Sequence, residues 1–158
     1  MKEHHYKATI TWVGNQGTGT SNYRAYSRDH EIVANGKPTI LASSDPSFRG
    51  DSARYNPEEL LVSSLSSCHL LWYLHLCSVN GVVVVDYKDE ATGTMEETAD
   101  GSGRFKEVIL YPVVTVADTT MIEKANKLHH EANKMCFIAN SCNFPIYHQP
   151  TCIVLNTL

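Results

Sequence analysis

The chain reads as an α+β protein, and three observations predict it. Leu60 to Val85 carries no Lys, Arg, Asp or Glu, the mark of one long apolar helix running towards a strand. On either side lie β-rich stretches punctuated by turn signals, Gly14-Asn15-Gln16-Gly17 before it and Asp100-Gly101-Ser102-Gly103 after it. The helices do not alternate with single strands, which sets the chain apart from a doubly wound parallel sheet.

His4 to Val13 alternates and reads as a strand, and Thr18 to Ser27 is expected to return as its hairpin partner. Asp29 to Leu41 holds a further strand region broken by the turn Asn35-Gly36-Lys37-Pro38. A polar connection, Ala42 to Arg54, leads to Tyr55-Asn56-Pro57-Glu58-Glu59. Asn56 suits the cap, Pro57 the first helical position, and the two carboxylates the positive end of the dipole. The helix should end near Ser78, before the turn signal Asn80-Gly81 and the β-branched run Val82 to Val85. Gly81 to Thr98 and Arg104 to Val116 read as a second hairpin. Asp118-Thr119-Thr120 caps a second helix striped by Ile122, Ala125, Leu128, Ala132 and Met135. Thr151 to Leu155 reads as a final strand.

At 158 residues the chain, 1–158, is read as a single domain large enough for a real core. A net charge of −4 and a pI near 6.0 exclude a nucleic-acid binder, which needs a basic face. The uncharged run is long enough for a membrane span. Its serines, histidines and Asn80-Gly81 favour a core helix instead, so no membrane partner is expected. Met1-Lys2-Glu3-His4-His5 leads straight into a strand with no leader pattern, and the expected compartment is the cytoplasm. Five cysteines, an odd number, argue against a secreted disulfide framework. Cys68, His69, His75 and Cys77 are close in sequence but fall on different helix faces, so neither metal nor cofactor is expected.

Leu60, Leu61, Leu65, Leu70, Leu71, Trp72, Leu74 and Leu76 pass nearly all the way round the first helix. A sheet covers one side of such a helix only. A homodimer that pairs these helices is therefore expected.

The chemistry centres on Cys68, inside that helix. The thiolate is the reactive form, a free cysteine has a pKa of about 8.5, and apolar surroundings raise it. Cys68 lies three turns from the helix start, beyond reach of the dipole, and the helix holds no cation. An arginine must come from elsewhere: Arg49 or Arg54 in the preceding loop, or Arg24 or Arg28 in the first hairpin. Glu58 would orient that arginine, but ten helical residues span about 15 Å, too far for one arginine to bridge. Either the helix breaks within Ser63-Ser64-Leu65-Ser66-Ser67 or Glu58 comes from a second subunit. His69 adjoins Cys68 but points about 100° away on a helix, so a cysteine hydrolase would need a distant histidine such as His129. His129 suits a pocket wall, a surface or an interface equally.

Asn56-Pro57-Glu58-Glu59-Leu60-Leu61 followed by Ser66-Ser67-Cys68 resembles a segment of the OsmC/Ohr family of osmotically inducible and organic hydroperoxide resistance proteins. So does the later segment, with His129 and Ala132, then Cys136, then Ala139-Asn140-Ser141. The resemblance covers nearly the whole chain. It implies antiparallel sheets wrapped around long central helices in an intertwined homodimer, with active sites at the interface. It implies a cysteine-based peroxidase in which Cys68 attacks the peroxide, Cys136 resolves the sulfenic acid as a disulfide, and Glu58 is the accompanying carboxylate. Arg49 is the nearest match to the activating arginine, and Cys142 is a reserve resolving thiol. Two departures place the chain in a side branch: Phe137 stands where the family has proline, and Gln16 where one branch has its arginine. The implied substrate is an organic hydroperoxide, favoured by an apolar wall of leucines, Trp72 and Phe137. The reductant the resemblance suggests is a dithiol of the lipoyl type. The competing reading is a protein of the same fold that binds an apolar ligand at the dimer interface without a redox cycle.

Overall fold

The computed structural model describes residues 1–154, so Leu155 of the expected final strand lies outside the described residues. The chain forms two compact units, one ending at Leu60 and the other beginning at Leu61.

In the first unit, β1 (Thr9–Trp12), β2 (His30–Val33) and β3 (Ile40–Ala42) form an antiparallel sheet in that order. The expected return strand over Thr18–Ser27 is not formed; β1 pairs with β2, Thr9 opposite Val33 and Trp12 opposite His30. The Asn15 side chain accepts the N–H groups of Gly17 at 2.9 Å and Gly19 at 3.0 Å. Both glycines have positive φ, 109° and 56°, so this stretch curls and its donors are taken up locally. Arg28 then pins the loop, donating to the carbonyls of Tyr26 and Tyr23, each at 2.7 Å, with its guanidinium over both rings.

Helix α1 (Pro57–Val79) opens on a reciprocal cap: Asn56 Oδ1 accepts the Glu59 N–H at 2.8 Å, and Glu59 Oε2 accepts the Asn56 N–H at 3.2 Å. It closes on Gly81, whose φ of 71° lets Val82 N–H reach the Cys77 carbonyl at 2.9 Å. No break occurs at Ser63–Ser67. The Ser67 hydroxyl bonds back to the Ser63 carbonyl at 2.7 Å, and Ser66 reaches out to Asp89 at 2.5 Å, so neither opens the helix.

The fully buried face of α1 is Leu65, His69, Tyr73 and Cys77, one residue per turn. Leu71 is 67% exposed and Leu74 38%. The single chain thus covers one face of α1 and leaves apolar residues exposed on another, the side for which a second copy is expected. By length and composition α1 could cross a membrane, yet 22% of its most apolar 18-residue window is buried.

The second unit holds two three-stranded sheets. β4 (Val84–Asp89) pairs antiparallel with β7 (Pro112–Val116), and β5 (Thr92–Glu97) with β6 (Gly103–Leu110). The expected long hairpin is thus cut in two, and Asp89 accepts the Tyr111 N–H at the cut. Each sheet gains a parallel strand, β8 (Ile146–His148) on β6 and β9 (Thr151–Val154) on β7. The sheets are therefore mixed rather than purely antiparallel, and β8 was not expected from the sequence. Gly93 of β5 lies where α1 comes close, since an added Cβ would collide with Val62 and Phe105.

Asp118 caps a short 3-10 turn, Thr119–Met121, that feeds α2 (Ile122–Met135). The buried stripe of α2 is Ala125, Leu128, His129 and Ala132. Met135 is 44% exposed, and Cys136 takes the inward place beyond it. One core gathers Tyr73, Cys77, Val82, Val114 and Val116 with Ala125, Leu128 and Ala132 of α2. The other gathers Leu65, Val108 and Leu110.

Candidate active site

Cys68 sits half-buried on the shoulder of the inward face of α1. Cys136 sits where α2 ends, 1% exposed. The two thiols are neighbours, close enough for Cys68 to act on the Cys136 thiol, and both are free. Burial first, and then the neighbouring Cys68 thiol, push the Cys136 thiol up to about 12. It therefore stays protonated near pH 7. The turn after α2 holds it in place: Ala139 N–H points at Cys136 Sγ at 3.4 Å, and Asn140 N–H bonds the Cys136 carbonyl at 3.0 Å. Asn140 Nδ2 also caps the end of α2 through the Lys134 carbonyl at 2.9 Å.

An apolar rim adjoins the pair. Leu71, Trp72 and His75, three, four and seven residues beyond Cys68 on α1, line an open groove of about 260 Å³. The Phe137 ring, 68% exposed, packs edge-on against Trp72 with centroids 5.7 Å apart. Cys142 lies apart from this arrangement, its thiol donating to the Ile138 carbonyl at 3.3 Å. Cys77 is buried beside Tyr73.

The charged residues expected to serve Cys68 belong to the first unit. Arg49 is exposed, in a left-handed backbone conformation with φ of 66°, and its guanidinium lies 6.0 Å from the Tyr23 ring. Glu58 is half-buried, and its Oε2 has no partner among the described residues. Within the chain Arg49 and Glu58 form no ion pair among the described residues, which leaves the expected supply of Glu58 by a second subunit open. Arg54 Nε lies 3.8 Å from Asp29 and 3.7 Å from Asp51, while its Nη1 is buried without a partner among the described residues. Arg28 is engaged by Tyr23 and Tyr26, and Arg24 is exposed. Because α1 is unbroken, about 15 Å of helix separates Glu58 from Cys68 along its axis.

Sequence reasoning missed a buried histidine pair. His69 Nε2 and His129 Nδ1 are 3.0 Å apart, and both rings are buried. Tyr73 stacks on His129 at 3.8 Å, and His148 on His69 at 5.7 Å. Burial first, and neighbouring imidazoles second, lower His69 to about 4 and His129 to about 3, so both are neutral near pH 7. The available signal was spacing: His69 falls four residues after Leu65 and four before Tyr73, and His129 falls between Leu128 and Ala132. Neither imidazole bonds Cys68, and among the described residues no group of three His, Cys, Asp or Glu is arranged to hold a metal ion.

Comparison with known proteins fits this geometry. The profile described as OsmC, OsmC-like protein, matches residues 50–149. An OsmC-like protein of unknown function from Vibrio cholerae superposes with a TM-score of 0.83 at 30% identity, covering 94% of this chain and 99% of that one. The organic hydroperoxide resistance protein OhrB of Bacillus subtilis superposes with a TM-score of 0.61 at 17% identity, covering 94% and 98%. The uncharacterized protein YmaD of Bacillus subtilis is 22% identical over 144 residues, 89% of this chain and 88% of its own. With the matched region spanning well over half of the sequence and the α+β architecture shared along nearly all of it, the chain belongs to the OsmC-like family.

Proposed function

We propose that the chain is a thiol-dependent peroxidase that reduces organic hydroperoxides. One observation carries this reading: two free thiols are neighbours, one half-buried and one fully buried and held protonated. The accessible Cys68 thiolate attacks the distal peroxide oxygen, the O–O bond breaks, and the leaving alkoxide takes a proton to become the alcohol. Cys68 is left as a sulfenic acid. The Cys136 thiol then displaces hydroxide, which leaves as water with the Cys136 proton, and a Cys68–Cys136 disulfide forms. A small dithiol, with lipoyl compounds as the first class to test, reduces that disulfide by exchange and is itself oxidised.

The groove of Leu71 and Trp72 beside Cys68 suits the organic part of the substrate. A second copy of the chain would cover the exposed leucines of α1 in a homodimer and bring its own Glu58 towards Cys68, with Arg49 or Arg54 as the activating cation. Five free cysteines suit a reducing cytoplasm.

The test is peroxide consumption with a dithiol, cumene hydroperoxide and hydrogen peroxide side by side, on the parent, Cys68→Ser and Cys136→Ser. Turnover that vanishes in Cys68→Ser and favours cumene hydroperoxide is expected. An inert parent with every dithiol tried sinks the reading and favours apolar-ligand binding in the groove.

A further inference from the structure

The buried histidines lie on the same two helices that carry and lead to the thiols. His69 directly follows Cys68 on α1, and His129 precedes Cys136 by two turns on the inward stripe of α2. Their contact is the one side-chain to side-chain hydrogen bond between α1 and α2 among the described residues; at the far end of α1, Lys124 of α2 also donates to the carbonyl of Asn80, the residue after the helix, at 2.7 Å. Near the thiols the remaining contact between the helices is packing of Tyr73 and Cys77 on Ala125, Leu128 and Ala132, which tolerates small axial slides, and the Lys124 bond is an exposed one on a flexible side chain. A hydrogen bond between ring nitrogens does not, because its strength falls steeply with angle and distance.

Two features fix the rings themselves. Tyr73, one turn beyond His69, lies flat on His129 with an interplanar angle of 11°, and the two imidazoles are within 5° of parallel. Burial keeps both neutral, so one ring donates and the other accepts. Protonation of the accepting ring would set N–H against N–H and break the contact.

We propose that His69 and His129 are positioning residues: their hydrogen bond sets the register of α1 against α2 and thereby holds the Cys68 and Cys136 sulfurs at the separation that disulfide formation requires. The proposal rests on the redox reading of the two thiols, but its test uses no peroxide.

The contact uses Nε2 of His69 and Nδ1 of His129, and this makes the test specific. Counting bonds from Cα, a glutamine amide falls where Nε2 lies, and an asparagine amide falls where Nδ1 lies. H69Q and H129N therefore keep a polar atom at the contact, whereas H69N and H129Q misplace it. Each variant is equilibrated with glutathione and its disulfide, in which the two protein thiols are oxidised to the Cys68–Cys136 disulfide as one glutathione disulfide is reduced to two glutathiones. Trapped species are counted by mass, with Cys77, Cys142 and Cys152 replaced by serine throughout.

H69Q and H129N should remain close to the parent. H69N and H129Q should lose about tenfold in effective thiol concentration, equivalent to a potential about 30 mV less reducing. Near-ultraviolet circular dichroism checks that each variant is folded. Folded misplaced variants with the parent's equilibrium overturn the proposal. So does equal loss in all four, which would indicate ring volume rather than the hydrogen bond. If none of the four folds, the pair is a requirement of the fold and the positioning role is likewise overturned. An inert peroxidase assay with the predicted shift in equilibrium would leave the positioning role standing and remove only the peroxide.

Discussion

Asp89 Oδ1 accepts the backbone N–H of Tyr111 at 2.7 Å, at the point where the long ribbon of the second unit divides into two sheets. Its other oxygen accepts the Ser66 hydroxyl of α1, two residues before Cys68. One carboxylate thus satisfies a donor left over by the break and fastens the thiol-bearing helix to it. Asp89→Ala should destabilise the protein by about 1 kcal/mol, the lower end of the range for an unpaired donor, because both donors are half-buried. Asp89→Asn, which retains one acceptor oxygen, should recover part of that loss. Urea titration followed by circular dichroism measures both.

Cys136→Ser should not prevent oxidation of Cys68 but should change its product. Without a resolving thiol, the Cys68 sulfenic acid meets a second peroxide and becomes a sulfinic acid. Intact-mass spectrometry after a small excess of cumene hydroperoxide should find two added oxygens in the variant and two lost hydrogens in the parent. A disulfide formed equally well in Cys136→Ser would transfer the resolving role to Cys142.

Stability should fall as the solution is acidified below pH 6.5. Both His69 and His129 have folded values depressed from 6.5, to about 4 and about 3. The unfolded chain therefore binds more protons than the folded one in that window. The stabilisation is fully present above pH 6.5 and is lost progressively as pH falls towards 4, by up to about 1.4 kcal/mol per pH unit for each histidine. The urea midpoint measured from pH 7 to pH 4.5 should drop, and the drop should be shallower in H129N. A midpoint independent of pH would contradict burial of the neutral pair.

Replacing Leu71 and Leu74 together by glutamate should leave the chain folded but monomeric. Each exposed leucine buried at a helix-paired interface contributes about 1.5–3 kcal/mol, and a carboxylate there would be desolvated. Sedimentation equilibrium of parent and variant decides this, and a parent that sediments as a monomer would sink the dimer.

The segments with strong local chemistry were legible in the sequence. Asn56-Pro57-Glu58-Glu59 and Gly81 carry both ends of α1 in their own backbone preferences, and the structure has the helix there. Thr18–Ser27 misled because its β-rich composition is overruled by one side chain, Asn15, which captures two backbone donors. The parallel strands β8 and β9 depend on partners some 38 residues earlier, as in Val108 with Ile146, and no local pattern announces such pairing. At the site, the family resemblance singled out Cys68 and Cys136, and the structure has the two thiols as neighbours. The histidine pair was hidden because residues 69 and 129 meet only through the tertiary packing of α1 on α2, and a histidine followed by another at 130 reads as a polar surface.

The parallel strand β9 also bears on how the protein is made. Val113 to Val116 find their partners at Thr151 to Val154, with all of α2 between them. During synthesis the apolar face of α1 and the open edge of β7 leave the ribosome long before the strand that completes their sheet. Closure of this core is a late, non-local event. The nascent chain presents sticky surface for the time it takes to add those last forty residues or so, roughly several seconds at ordinary elongation rates. Truncation anywhere between α2 and β8 would make that interval permanent, and such chains should be captured by chaperones or aggregate even though every cysteine up to Cys136 is already in place.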